Sequence, residues 1–100
     1  MTSNIVDQND EIISVGELNR SAKYLLEKNF NNVSVIGEIS NLSRPSSGHI
    51  YFTLKDEDGA IRCAMFKNQN INLKFNPQNG DQGLLKGQVS IYTARGDYQL

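Results

Sequence analysis

At Val33 the spacing of apolar residues changes period, and that change constrains the fold more than any other feature of the chain. Before it, Val15, Leu18, Ala22, Leu25 and Leu26 recur every three or four residues, the repeat of one helix face. After it, Val33, Val35, Gly37 and Ile39 alternate with Ser34, Ile36, Glu38 and Ser40, the repeat of a strand with one buried face. The pattern predicts one helix followed by a mainly β domain. The helix has a readable start, because Ser14 as N-cap with Glu17 three residues on makes a capping box. It should end near Lys28 and Asn29, with Arg20, Lys23, Glu27 and Lys28 forming its solvated face. The polar residues that precede it have no period and read as a disordered leader. The expected boundaries are thus 1–11 for the leader, 12–32 for the helix and 33–100 for the β domain.

Within the β domain, turn chemistry separates the strands. Gly37 in the first strand suggests a bulge or a bend. Arg44-Pro45-Ser46-Ser47-Gly48 is a turn, and Ile50, Phe52 and Leu54 then alternate with His49, Tyr51, Thr53 and Lys55 as a second strand. Asp58-Gly59 is a hairpin signal, after which Ile61, Cys63 and Met65 share one face of a third strand, and Arg62, Ala64 and Phe66 the other. Residues 67–75 lose the alternation and read as a short helix or turn-rich link across one end of a barrel. After a further turn at 77–81, residues 82–92 read as one long fourth strand with Leu85, Val89 and Ile91 inward. A loop at 93–97 leads to Tyr98-Gln99-Leu100, a final strand that looks cut short. Four strands, the start of a fifth and a bridge after the third match a five-stranded Greek-key OB-fold barrel preceded by one α-helix. An SH3-like barrel or a small sandwich remains the structural competitor, since short alternating strands do not fix topology.

Composition narrows the function. With 100 residues there is room for one domain. A net charge of −1 and an isoelectric point near 5.7 argue against a strongly cationic protein that coats DNA. The charge is uneven, however: residues 1–32 hold five acids against three bases, while residues 33–100 hold seven bases against six acids. Cys63 is the only cysteine, which excludes an internal disulfide, a zinc ribbon and a redox pair and fits a reducing cytoplasm. No apolar run approaches the ~20 residues of a bilayer span, and the polar, acidic start carries no secretion signal.

The informative stretch runs from Arg44 to Arg62. An OB barrel binds oligonucleotides on the face of strands two and three, walled by the loops after strands one and four. Here the first loop offers Arg44, Ser46 and Ser47, the later loop offers Arg95, and Tyr51, Lys55, Arg62 and Phe66 share the outward face. Aromatic rings stack on any base, while Arg and Lys follow the phosphates. Each residue also has a plainer reading: packing for Tyr51 and Phe66, a solvated turn for Arg44, a backbone-bonded strand end for His49, and surface pairing of Lys55 with Asp56. Their convergence on one face carries the assignment. Catalysis has no comparable support. One His and one Cys do not make a zinc set, turn chemistry accounts for Asp58 in the run Asp56-Glu57-Asp58, and no nucleophile elbow or phosphate-cradling loop is present.

Val15-Gly16-Glu17-Leu18-Asn19, Gly37-Glu38-Ile39-Ser40-Asn41, the run from Ser46 through His49 and Tyr51 to Asp56, Ala64-Met65-Phe66, Gly87-Gln88-Val89-Ser90-Ile91-Tyr92 and Arg95-Gly96-Asp97-Tyr98-Gln99-Leu100 follow in order. Together they resemble the N-terminal domain of the exodeoxyribonuclease VII large subunit, over about residues 12–100. The resemblance implies an OB domain that binds single-stranded DNA, as the front end of a bacterial, cytoplasmic nuclease subunit whose active site lies in a later domain. It implies no catalytic residue, cofactor or metal in these 100 residues, and a small helical subunit as partner of the parent protein. Carried across position by position, the family's loop and strand pattern falls on Arg44, Ser46, Ser47, Gly48, His49, Tyr51, Arg62, Phe66, Arg95, Gly96 and Tyr98.

Overall fold

The computed structural model describes residues 12–66 and 77–100. The expected leader at 1–11 and the whole of the link expected at 67–75 lie outside the described residues. One helix, α1 (Val15–Asn29), precedes six strands: β1 (Val33–Ser43), β2 (Ile50–Lys55), β3 (Ala60–Met65), β4 (Gln82–Gly87), β5 (Ser90–Tyr92) and β6 (Asp97–Gln99).

The capping box forms at the start of α1. The Glu17 N–H donates to Ser14 Oγ at 3.0 Å, and the Ser14 N–H donates to Glu17 Oε1 at 3.1 Å, which satisfies two of the donors a helix start leaves unpaired. The bond from the Ser14 N–H, helped by the Ser14 hydroxyl, favours the ionised Glu17 carboxylate and holds it below its usual range. The helix docks in an unexpected orientation. Asn19, Ala22, Lys23, Leu26 and Glu27 are half-buried on the side that meets β5, whereas Val15, Leu18 and Leu25 are exposed, Leu18 at 55% and Leu25 at 57%. The expectation that Lys23 and Glu27 belong to a solvated face is therefore corrected. The reason is chemical: β5 and its following loop present hydrogen-bonding groups to the helix. Glu27 accepts from Lys23 and, at 2.6 Å, from Ser90 Oγ, and Asn19 Nδ2 donates to the Thr93 carbonyl at 3.0 Å. A polar stripe answers such a surface better than leucines would.

The strands form one six-stranded sheet in the order β4-β1-β2-β3-β6-β5. Every pairing is antiparallel except that of β3 with β6. The sheet is open, which departs from the expected five-stranded closed barrel, and its two edges, β4 and β5, are consecutive in the chain. They are the two halves of the long strand expected at 82–92. Gln88-Val89 divides them, because Val89 turns its side chain into the protein, 6% exposed, and donates its N–H at 3.0 Å to the Phe30 carbonyl at the end of α1 rather than to a neighbouring strand. The half before the break pairs with β1 and the half after it with β6.

The core forms where the inward positions of the first three strands meet: Ile39, Ile50, Phe52, Leu54 and Cys63, with Val35, Leu42, Ile61, Met65, Leu85 and Leu100 packed around them. Gly37 permits a close approach there, since a Cβ at this position would lie 2.8 Å from the Lys55 carbonyl oxygen and 3.0 Å from Leu54 Cγ. The irregularity expected at Gly37 sits further along. Gly37 keeps regular register with Gly83, and the β1–β2 register shifts between Ser40 and Ser43, where Asn41 adopts φ 52°.

Candidate nucleic-acid interface

Alternation along β2 and β3 fixes what the outer face of the sheet presents. Ile50, Phe52 and Leu54 point inward, so His49, Tyr51, Thr53 and Lys55 point outward; opposite them, inward Cys63 and Met65 leave Arg62, Ala64 and Phe66 outward. Burial in the core pushes the Cys63 thiol up to about 11, so that side chain is a packed apolar group rather than a nucleophile.

At the end of the face next to the β1–β2 loop, three rings meet. The His49 ring stands edge-on to Phe66 at 5.4 Å between centroids and to Tyr51 at 6.2 Å, with interplanar angles of 86° and 80°. Midway along, Thr53 and Arg62 are directly opposed, and Arg62 Nη1 donates to Thr53 Oγ1 at 2.9 Å, which holds an exposed guanidinium against the sheet. Thr53 was not among the sequence candidates. Counting back from the Asp58-Gly59 turn pairs it with Arg62, so the signal was present. Lys55 lies at the other end of β2, directly across from Glu38 of β1 and next to the turn that carries Asp56, Glu57 and Asp58. Asp56 Oδ1 accepts the N–H groups of Asp58 and Gly59, both at 2.8 Å, so this carboxylate serves the turn.

The loop residues divide. Ser46 and Ser47 are exposed in the β1–β2 turn, with Gly48 at φ 91°, and Ser47 Oγ accepts the His49 N–H at 3.4 Å. Arg44 donates from Nη2 to the Pro77 carbonyl at 2.8 Å, which ties this loop to the segment before β4. Arg95 lies elsewhere. Its loop rests on α1 through Asn19, and its guanidinium sits 5.7 Å from the centre of the Tyr92 ring, a half-exposed aromatic absent from the sequence candidates. Parallel pairing of Arg62 with Gln99 puts this loop at the hairpin end of the sheet, away from Arg44. The same register turns Tyr98 to the side of Leu100, which packs on the core, so Tyr98 lies across the sheet from Tyr51 and Arg62. The structure thus brings together His49, Tyr51, Phe66, Arg62 and Lys55, flanks them with Ser46, Ser47 and Arg44, and keeps Arg95 and Tyr98 apart. Among the described residues no group of three or more His, Cys, Asp or Glu side chains could hold a metal ion. Nor is any helix there long and apolar enough to cross a membrane.

Aromatic rings and a tethered guanidinium thus share the outer face of a small, mainly antiparallel sheet, and the chain matches the family model described as "OB-fold nucleic acid binding domain" over residues 13–100. It belongs to that family. The resemblance read from the sequence also holds: the chain is 53% identical over 91 residues to the exodeoxyribonuclease 7 large subunit of Haemophilus influenzae, covering 91% of this chain and 21% of that protein. It is 48% identical over 93 residues to the protein of the same name from Klebsiella pneumoniae, covering 93% and 20%. With that of Pectobacterium carotovorum it shares 52% over 89 residues, covering 89% and 19%. The chain therefore spans about a fifth of the length of the curated relatives it matches.

Proposed function

We infer that this chain is a single-stranded DNA-binding module, and that in a longer polypeptide it delivers the strand to a nuclease site outside these 100 residues. One observation carries the reading: rings suited to stack on bases and a guanidinium fixed by Thr53 share one outward face. The relatives' name, exodeoxyribonuclease, supports DNA as the ligand and a nuclease as its destination. The reading takes β4 and β5 as halves of the fourth strand of a five-stranded barrel, and the compartment as the cytoplasm. Binding would be tested by anisotropy of a labelled oligonucleotide at low salt. Tyr51→Ala should weaken it by about 1–3 kcal/mol, the value of one stacked base. Arg62→Ala should weaken it too and flatten its salt dependence. No binding, or binding indifferent to salt and to both substitutions, overturns the reading.

A second reading is favoured by the exposed stripe Val15, Leu18 and Leu25 on α1. In it α1 docks the small helical subunit that the family resemblance implies. Co-purification of that subunit with this chain, lost in Leu18→Glu with Leu25→Glu, supports it; co-purification untouched by the substitutions sinks it.

A further inference from the structure

We propose that the acidic hairpin between β2 and β3 is an electrostatic stop, confining a bound strand to the half of the outer face next to the β1–β2 loop. The inference rests on the nucleic-acid reading and adds where the ligand ends.

The two ends of the face differ in charge. The loop end has His49, Tyr51 and Phe66, with Arg44 nearby, and Arg62 stands midway. The hairpin end has Lys55, but Glu38 stands directly across the ladder from it, and Asp56, Glu57 and Asp58 follow it at once; the loop carrying Arg95 also lies at this end, with Asp97 next to it in β6. Four carboxylates thus belong to the residues opposite and just after this one ammonium. The Cβ atoms of opposed residues on an antiparallel pair sit about 4.5–5.5 Å apart, so the Glu38 carboxylate offsets part of the Lys55 charge for an incoming phosphate. Asp56 is committed to the turn, which keeps its carboxylate fixed at the hairpin. Glu57 and Asp58 are exposed at the tip.

Distance decides how far this field reaches. At about 3.4 Å per residue, Lys55 lies roughly 14 Å along the strand from Tyr51 and about 7 Å from Thr53 and its partner Arg62. The Debye length is about 10 Å at 0.1 M salt. The acidic turn therefore dominates at Lys55, weakens at Arg62 and is screened at the rings. A polyanion gains by lying over the rings and Arg62 and loses by continuing past Lys55. Lys55, one of the sequence candidates, then marks the boundary of the path rather than a contact within it.

The test uses Glu57→Lys, with Glu38→Gln as a second variant that leaves the turn untouched. Both are titrated with oligothymidylates of increasing length and at several salt concentrations. If the hairpin is a stop, the length at which affinity ceases to rise increases in both variants, more in Glu57→Lys. The slope of log affinity against log salt also steepens, by about 0.7 for each phosphate newly engaged. A general gain from added positive charge would raise affinity at every length without moving the plateau, and that result overturns the proposal. So does an unchanged plateau and slope, and in both cases the DNA-binding reading stands. If neither wild type nor variants bind, the reading itself falls and the stop with it.

Discussion

Strand β2 and helix α1 each carry an amphipathic pattern, and the protein uses the two patterns in opposite ways. Along β2, Ile50, Phe52 and Leu54 enter the core and the polar set faces out. Along α1 the half-buried stripe centres on Asn19, Lys23 and Glu27, while Leu18 and Leu25 face solvent. Periodicity reveals which residues share a face. Which face is covered depends on what the neighbour offers, and β5 offers a serine hydroxyl and a loop carbonyl where β1 and β3 offer aliphatic side chains.

If this contrast is right, equal-minded truncations should give unequal costs. Phe52→Ala should destabilise the fold by about 3–5 kcal/mol, the range for a buried aromatic. Leu18→Ala should stay within about 0.5 kcal/mol, as for a surface site. Urea denaturation of the two variants measures both, and similar costs would erase the distinction. Next in size is Gly37→Ala. The added carbon meets the Lys55 carbonyl and Leu54, so overpacking should cost about 1–3 kcal/mol, readable as a fall in the urea midpoint. Ser14→Ala removes the cap of α1 and should cost about 1 kcal/mol with loss of helical circular dichroism; an unchanged signal would mean that docking alone holds the first turn.

The smallest effect concerns the polar stripe. Hydrogen bonds from Lys23 and then Ser90 lower the Glu27 carboxylate from its ordinary 4.5. Its folded-state value is depressed, so its contribution is present above pH 4.5 and fades as pH falls through the lower folded value. Glu27→Gln should therefore flatten the acid limb of the stability curve between neutral pH and pH 3, and leave the alkaline limb alone. A variant with the same acid limb as wild type would remove Glu27 from the helix–sheet contact.

The same contrast explains how much could be read in advance. The faces of β2 and β3 were legible because alternation is unbroken and Asp58-Gly59 fixes their register, which located Tyr51, Arg62 and Phe66 on one side. The division of β4 from β5 was not, since Leu85, Gly87, Val89 and Ile91 keep a period of two straight through it. What ends the strand is the bond from Val89 to Phe30, a partner far away in sequence. Tyr98 entered the candidate set through the family resemblance alone, and the parallel pairing of β3 with β6, which no local pattern announces, turns it to the side away from Tyr51.

Cys63, a residue of the core, also gives this protein a clock. It is the chain's single thiol, it lies inward between Arg62 and Ala64, and burial keeps it protonated at ordinary pH. With only 4% of its surface exposed, it should react slowly with an alkylating reagent while the sheet is closed and faster when the sheet opens beneath the ring cluster and the guanidinium. Its labelling rate then reports how often that part of the molecule breathes. A strand that binds only the closed sheet should slow labelling by a factor of 1 + [DNA]/Kd, about 100-fold at roughly 100 times Kd. Labelling unchanged by saturating oligonucleotide would mean that the opening that admits the reagent does not disturb the bound face.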